Sequence, residues 1–163
     1  MNNWNDLPGS ARVWVYGANR ALSANEITQI SQKLEVFCAE WTAHGTKLKA
    51  GFELAYNRFI VLSADEEVAA ASGCSIDSSV KVIKELDQEL ELDLFNRLRI
   101  YQIDDENATA MTMNEVKADI EKGLINDSTL IINTLVQTKG DYQNSFVVPI
   151  SKTWVGQKLR MFV

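Results

Sequence analysis

Leu48–Ala55 (LKAGFELA), Tyr56-Asn57 and Arg58–Ala64 (RFIVLSA) decide the fold. The flanking segments are rich in apolar and β-branched residues and read as strands, with only two residues between them. Asn57 tolerates a positive φ, so the pair reads as a tight antiparallel hairpin. Such a hairpin in the middle of a chain needs elements before and after it to cover its apolar side.

Upstream, Arg12-Val13-Trp14-Val15-Tyr16 reads as a strand. Ser23-Ala24-Asn25-Glu26 then matches a capping box, in which the serine hydroxyl and the glutamate carboxylate each accept an otherwise orphaned backbone N–H. Ile27, Ile30, Leu34, Phe37, Cys38 and Trp41 recur every three or four residues behind it, so this helix has one apolar face. His44-Gly45 is expected to end it, with glycine in the left-handed position. Downstream, Val80–Leu90 reads as a second amphipathic helix, capped by Ser75 or Asp77, and Leu98–Ile103 as a further strand. The succession β-α-β-β-α-β predicts an α+β fold with a ferredoxin-like core over residues 1–105, an antiparallel sheet carrying both helices on one face.

Residues 106–163 read as a C-terminal β/α extension packed on that core, the whole forming one compact domain. Ala108–Met111 suggests a short strand, and Thr112-Met113-Asn114-Glu115 is a second capping box, opening a helix that Gly123 closes. Thr129–Ile132 and Ser145–Val148 read as strands joined across Lys139-Gly140-Asp141.

The 163 residues, 46% hydrophobic and 23% charged, suffice for a sizeable core. A net charge of −6, with only Lys47 and Lys49 close together near the middle, argues against nucleic acid as a partner. Met1–Asp6 is polar, so no secretory leader is expected, and no apolar run approaches the roughly 20 residues of a membrane span. Two cysteines, Cys38 and Cys74, make no disulfide framework, which points to a reducing cytoplasm. One histidine and no Cys-x-x-Cys pair leave no expected metal site, and no cofactor is expected. Gly-x-x-x-x-Gly-Lys-Ser/Thr is missing, so there is no phosphate cradle for nucleotide hydrolysis. Gly17-Ala18-Asn19-Arg20, between a strand and a helix, is a weak candidate for holding an anion.

Ala71–Ser79 (ASGCSIDSS) carries the sharpest chemical signal. A cysteine at a helix N-terminus meets backbone N–H groups and the positive dipole end, both of which favour a thiolate. Traced through the ferredoxin-like path, Cys74, His44 and Asp104 converge on one edge of the sheet. A thiol, an imidazole to take its proton and a carboxylate to orient the imidazole are the parts of an activated nucleophile. The same positions suit plainer roles: Cys74 as a small residue beneath a turn, His44 as a helix cap, and Asp104-Asp105-Glu106 as a solvated turn.

Trp41–Gly45, Tyr56–Leu62, Ala71–Asp77 and Leu94–Arg97 together resemble a family of short uncharacterised bacterial proteins. Its members often carry the automatic name "ABC transporter ATPase". The residues do not support that name, since the phosphate loop and the Leu-Ser-Gly-Gly-Gln signature are both missing, and the resemblance supplies no catalytic residues.

The leading expectation is therefore a non-enzymatic cytoplasmic module that binds a small molecule or a second copy of itself, with Trp4, Trp14 and Trp154 as interface candidates. The alternative is a thiol-dependent enzyme with Cys74 as nucleophile and His44 as base.

Overall fold

The computed structural model describes residues 2–67 and 70–159. Strand β1 (Arg12–Gly17) leads to helix α1 (Ala24–Glu40) and a small hairpin of β2 (Thr42–Ala43) and β3 (Thr46–Lys47). Then come β4 (Lys49–Ala55), β5 (Phe59–Asp65), α2 (Gly73–Leu90), β6 (Ile100–Asp104), β7 (Asn107–Met111) and α3 (Met113–Glu121). Strand β8 (Leu130–Ile132), helix α4 (Lys139–Ser145), strand β9 (Val147–Pro149) and helix α5 (Trp154–Leu159) complete the chain.

The hairpin that opened the sequence reading is present, with β4 and β5 paired antiparallel from Lys49↔Asp65 to Ala55↔Phe59. Both Tyr56 (φ 53°) and Asn57 (φ 50°) take left-handed conformations at its turn. On the other side of β5 lies β1, antiparallel, giving the sheet order β1-β5-β4. Period-two alternation divides the side chains of this sheet. Tyr16, Ile60, Leu62 and Ala64 face Ile30, Leu34 and Cys38 of α1 and Ile83 and Leu86 of α2. Val13, Val15, Phe59 and Val61 face the opposite way, and every residue of β5 is buried.

That second apolar face sets the rest of the architecture. Leaving four such side chains in water would forfeit on the order of 6–12 kcal/mol at roughly 1.5–3 kcal/mol each. A domain is stable by only about 5–15 kcal/mol in total, so the face must be covered. A second sheet, β7-β6-β8-β9, covers it. Tyr101, Ile103 and Ile132, with Phe146 of the loop after α4, enter the same cluster, and the Phe59 and Tyr101 rings meet edge to face at 4.6 Å. The outer face of this sheet, with Ile100, Met111 and Ile131, is closed by Val116 of α3 and Val155 of α5. The layers run helix, sheet, sheet, helix.

The α+β class is thus borne out. The ferredoxin-like topology is not confirmed, because among the described residues β6 pairs with β7 and β8 rather than lying beside β1. The physical reason is that Tyr101 and Ile103 on one face of β6 and Ile100 on the other are all buried, so the strand needs cover on both sides. Both capping boxes form as read, Ser23 with Glu26 and Thr112 with Glu115. Three local expectations are corrected. Helix α1 stops at Glu40, since His44 (φ 52°) and Gly45 (φ 77°) form the two-residue turn of the β2–β3 hairpin. Helix α2 starts at Gly73, because Ser72 accepts from the Ser75 N–H and caps it earlier than Ser75 or Asp77 would. Lys139-Gly140-Asp141 opens helix α4, with Thr138 as its cap, instead of a strand connection.

Two polar clamps hold distant parts together. Arg20 meets both carboxylate oxygens of Glu26, at 2.8 and 2.7 Å, and donates to the Leu90 carbonyl at 2.9 Å, tying the start of α1 to the end of α2. The Arg20 guanidinium, with the Ser23 N–H, holds the Glu26 carboxyl down to about 2. Its stabilising contribution is therefore complete above the ordinary glutamate range and lost as pH falls from about 4.5 towards 2. Denaturation followed across that window should show a flatter pH dependence for Glu26→Gln than for the parent chain. The second clamp is Lys139, buried at 5% exposure, whose Nζ donates to the carbonyls of Trp4 and Leu7, both at 2.7 Å. Lys139→Met keeps the stem but removes two charge-assisted bonds, and should cost about 3 kcal/mol in urea unfolding.

Candidate functional site

Cys74 is the second residue of α2 and is exposed, so it is not tucked beneath the turn. His44 is exposed at the β2–β3 turn, where it caps no helix. The two segments meet through Trp41, whose indole N–H donates to the Ser75 carbonyl at 2.8 Å. Asp104 ends β6 in the other sheet, opposite Asn107. No hydrogen bond joins Cys74, His44 and Asp104 among the described residues. Cys38 lies in the helix-side core, where burial pushes its thiol up to about 12. Iodoacetamide near neutral pH should accordingly modify Cys74 while leaving Cys38 intact until denaturant is added, as read by peptide mass spectrometry.

The three tryptophans flagged as interface candidates separate. Trp4 is buried against Tyr142, Trp14 is half-buried with the Arg12 guanidinium 4.8 Å above its ring, and Trp154 lines a cleft. That cleft holds about 590 Å³ and lies where β7, α3, α5 and the 96–99 segment come together. Such a volume sits within the usual range for small-molecule sites. Leu98, Met111, Met113 and Trp154 supply apolar walls, while Asn19, Asn96, Arg99, Lys158 and the Glu115 carboxylate supply polar groups, Glu115 being engaged by the Thr112 N–H as the partner in its capping box. Asn19 comes from the Gly17–Arg20 turn already marked as a candidate anion holder, a position set by its N–H donating to the Leu92 carbonyl at 2.8 Å.

Arg99 is the chemical focus. Its side chain is only 11% exposed, and it donates to the carboxylate and the carbonyl of Asp93 and to the Tyr101 hydroxyl. Burial opposes its charge, yet the bonds to Tyr101 and Asp93 hold the guanidinium above its ordinary value. Tyr101 in turn donates to the Ala18 carbonyl at 3.2 Å, and burial raises its own pKa. Gly17 has to be glycine here, because a Cβ would sit 2.3 Å from the Tyr101 hydroxyl. Arg58 shares this neighbourhood. Burial, reinforced by the Arg99 charge, lowers its pKa, and its Nε and Nη1 are buried with no hydrogen-bond partner among the described residues. Among the described residues Asp93 pairs with Arg99 alone, so the Arg58 guanidinium beside it has only the Tyr101 hydroxyl to favour its charge.

The chain matches no protein-family model, no curated protein and no solved structure. Among the described residues no group of three or more histidine, cysteine or carboxylate side chains could hold a metal ion, and no helix is long and apolar enough to cross a membrane. Sequence reasoning found Asn19 and Trp154 but not Arg58, Arg99 or Lys158. The available signal was a charged residue, Arg99, directly before the apolar pair Ile100-Tyr101.

Proposed function

We propose that this chain is a non-enzymatic cytoplasmic binding module, and that its ligand is a small amphipathic anion held in the 590 Å³ cleft. One observation carries the reading: a recessed guanidinium, Arg99, lines a cleft together with the apolar side chains of Leu98, Met111, Met113 and Trp154. The head group, a carboxylate or phosphate, would meet Arg99 in the forked geometry that guanidinium groups favour. The unpartnered Arg58 nitrogens would gain from the negative charge nearby. The apolar tail would lie along Met111, Met113 and Trp154, methionine being well suited to chains of varied shape. Residues 1–105 and 106–163 would work as one compact unit, since both contribute to the cleft. The ferredoxin-like reading survives only as kinship of the β1–α2 half, with its fourth strand diverted into the second sheet.

The thiol-dependent alternative has the exposure of Cys74 at a helix start in its favour. Among the described residues no base is hydrogen-bonded to it.

Octanoate and octylamine, titrated separately and followed by methyl NMR, distinguish the charge preference. Octanoate should shift the Met111 and Met113 methyl signals saturably, and octylamine should not. Arg99→Gln should weaken octanoate about tenfold, close to 1.4 kcal/mol. Leu98→Glu is a second variant that leaves the core alone, because Leu98 is 73% exposed at the cleft, and it should weaken octanoate by repulsion. Equal binding of both probes, or none at millimolar concentration, refutes the reading.

A further inference from the structure

A sheet edge left bare offers main-chain donors and acceptors to another strand, and three of the four edges of the two main sheets are blunted. Strand β1 is paired at its start, where the Val13 N–H donates to the Gln137 carbonyl at 3.0 Å and Arg12 bridges Thr138. Farther along, Leu94, Arg97, Arg99 and Tyr101 fill the space beside Val15 and Gly17 and leave only about 10 Å³. Strand β4 is closed at its centre by the Asn2 amide, which donates to the Phe52 carbonyl at 2.6 Å and accepts from the Phe52 N–H at 3.0 Å. Strand β9 is three residues long and ends in Pro149, which has no N–H.

Strand β7 carries none of these devices. Asn107-Ala108-Thr109-Ala110-Met111 contains no proline and no charge, and only Met111 is buried. The register with β6 decides which groups are free. Asp104 and Asn107 flank a two-residue turn and so form a hydrogen-bonded pair, a pattern that repeats at Gln102↔Thr109 and Ile100↔Met111. The N–H and C=O groups of Ala108 and Ala110 therefore point away from β6, and no described backbone group pairs with them.

The two ends of β7 differ in charge. Asp104-Asp105-Glu106, before it, bears three exposed carboxylates, none ion-paired among the described residues. At its other end α3 begins with the positive pole of its dipole, and Arg99, Glu115 and Lys158 line the cleft beside Thr112 and Met113. Arg99 is already met by Asp93 and Glu115 by the Thr112 N–H. That leaves the Lys158 ammonium and the helix dipole to receive an acidic group. An antiparallel neighbour of the same sequence brings its acidic turn to that end.

We propose that β7 pairs antiparallel with β7 of a second copy, about a two-fold axis through Thr109, so that one sheet runs across both chains. Setting Ala108 opposite Ala110 of the other copy uses every free main-chain group of the strand. Shifting the register either way draws in Glu106 of the turn or Thr112, whose N–H already bonds Glu115. The favoured register also lays Asp105-Glu106 of each copy against Thr112-Met113 of the other. The pairing needs no ligand in the cleft, and Thr109 is not part of the cleft lining.

Light scattering after gel filtration should show the chain as a dimer at millimolar loading, dissociating on dilution. Amide exchange at Ala108 and Ala110 should slow about tenfold in the dimer. Thr109 is exposed and faces its own counterpart in this arrangement. Thr109→Lys and Thr109→Glu should each be monomeric, because like charges then stand directly opposite. Mixed in equal amounts, the two variants should recover the dimer, a result that no folding defect can mimic. Glu106→Lys should weaken the association of the parent chain and reduce its sensitivity to salt. A strict monomer at millimolar concentration overturns the proposal. So does a dimer untouched by either Thr109 variant, and so does failure of the mixed pair to associate. A monomer whose Ala108 and Ala110 amides are protected by a capped valine–threonine heptapeptide assigns the edge to a strand of another protein and likewise overturns self-pairing. None of these readouts measures octanoate binding, so failure of either site leaves the other standing.

Discussion

The constraint on which the molecule depends is that β5 is apolar on both sides. A sheet with helices on one face and water on the other can tolerate polar residues at every second position of its central strand. Phe59-Ile60-Val61-Leu62 allows no such compromise, and every residue from Phe59 to Asp65 is buried. Two covers are therefore required. The helices α1 and α2 supply one, and the second sheet, with Tyr101 and Phe146 against Phe59, supplies the other. Since that second sheet is itself apolar on its outer face, a further layer of α3 and α5 follows.

This two-sided demand also explains which parts of the architecture were readable from residues alone. Local chemistry was legible: both capping boxes, the Tyr56-Asn57 turn and the glycine closing α3 depend on a few neighbouring positions. Strand partnership was not, because a four-residue apolar run does not say which strands flank it or how many layers cover it. The pattern of Leu98–Ile103 identifies a strand, yet its neighbours β7 and β8 come after it in sequence, where nothing local marks them as its partners. The same gap moved the candidate chemistry. Once β6 belongs to the second sheet, Asp104 sits with Asn107, while Arg99 and Tyr101 at its other end meet the β1 turn. Spacing in sequence gave no hint of Arg58 and Arg99 as neighbours, since 41 residues and two sheets separate them.

Charge is distributed against the trend of the composition. The chain carries a net −6, yet Arg12, Arg58, Arg97 and Arg99 cluster along the seam between the two sheets and the adjoining edge of β1. An acidic body with a cationic seam repels anions at long range and attracts them at short range, so selectivity arises at the groove and is strongest when the ligand is desolvated there. The apolar components of that seam, Leu98 and Leu135, are exposed on its two sides and would gain burial in the same event.

The lysine at position 139 has a kinetic consequence. Its ammonium is held by carbonyls 132 and 135 residues earlier in the chain, so the Trp4–Asp6 turn has no ionic anchor until residue 139 has been made. Contacts of such long sequence separation form late and slow the overall reaction. During synthesis the Trp4 ring would lack its contacts with Lys139 and Tyr142 until those residues have been added. Premature termination just before α4 would leave a nascent species whose indole lacks its cap and whose Phe59 ring lacks Phe146, the kind of apolar surface that chaperones capture.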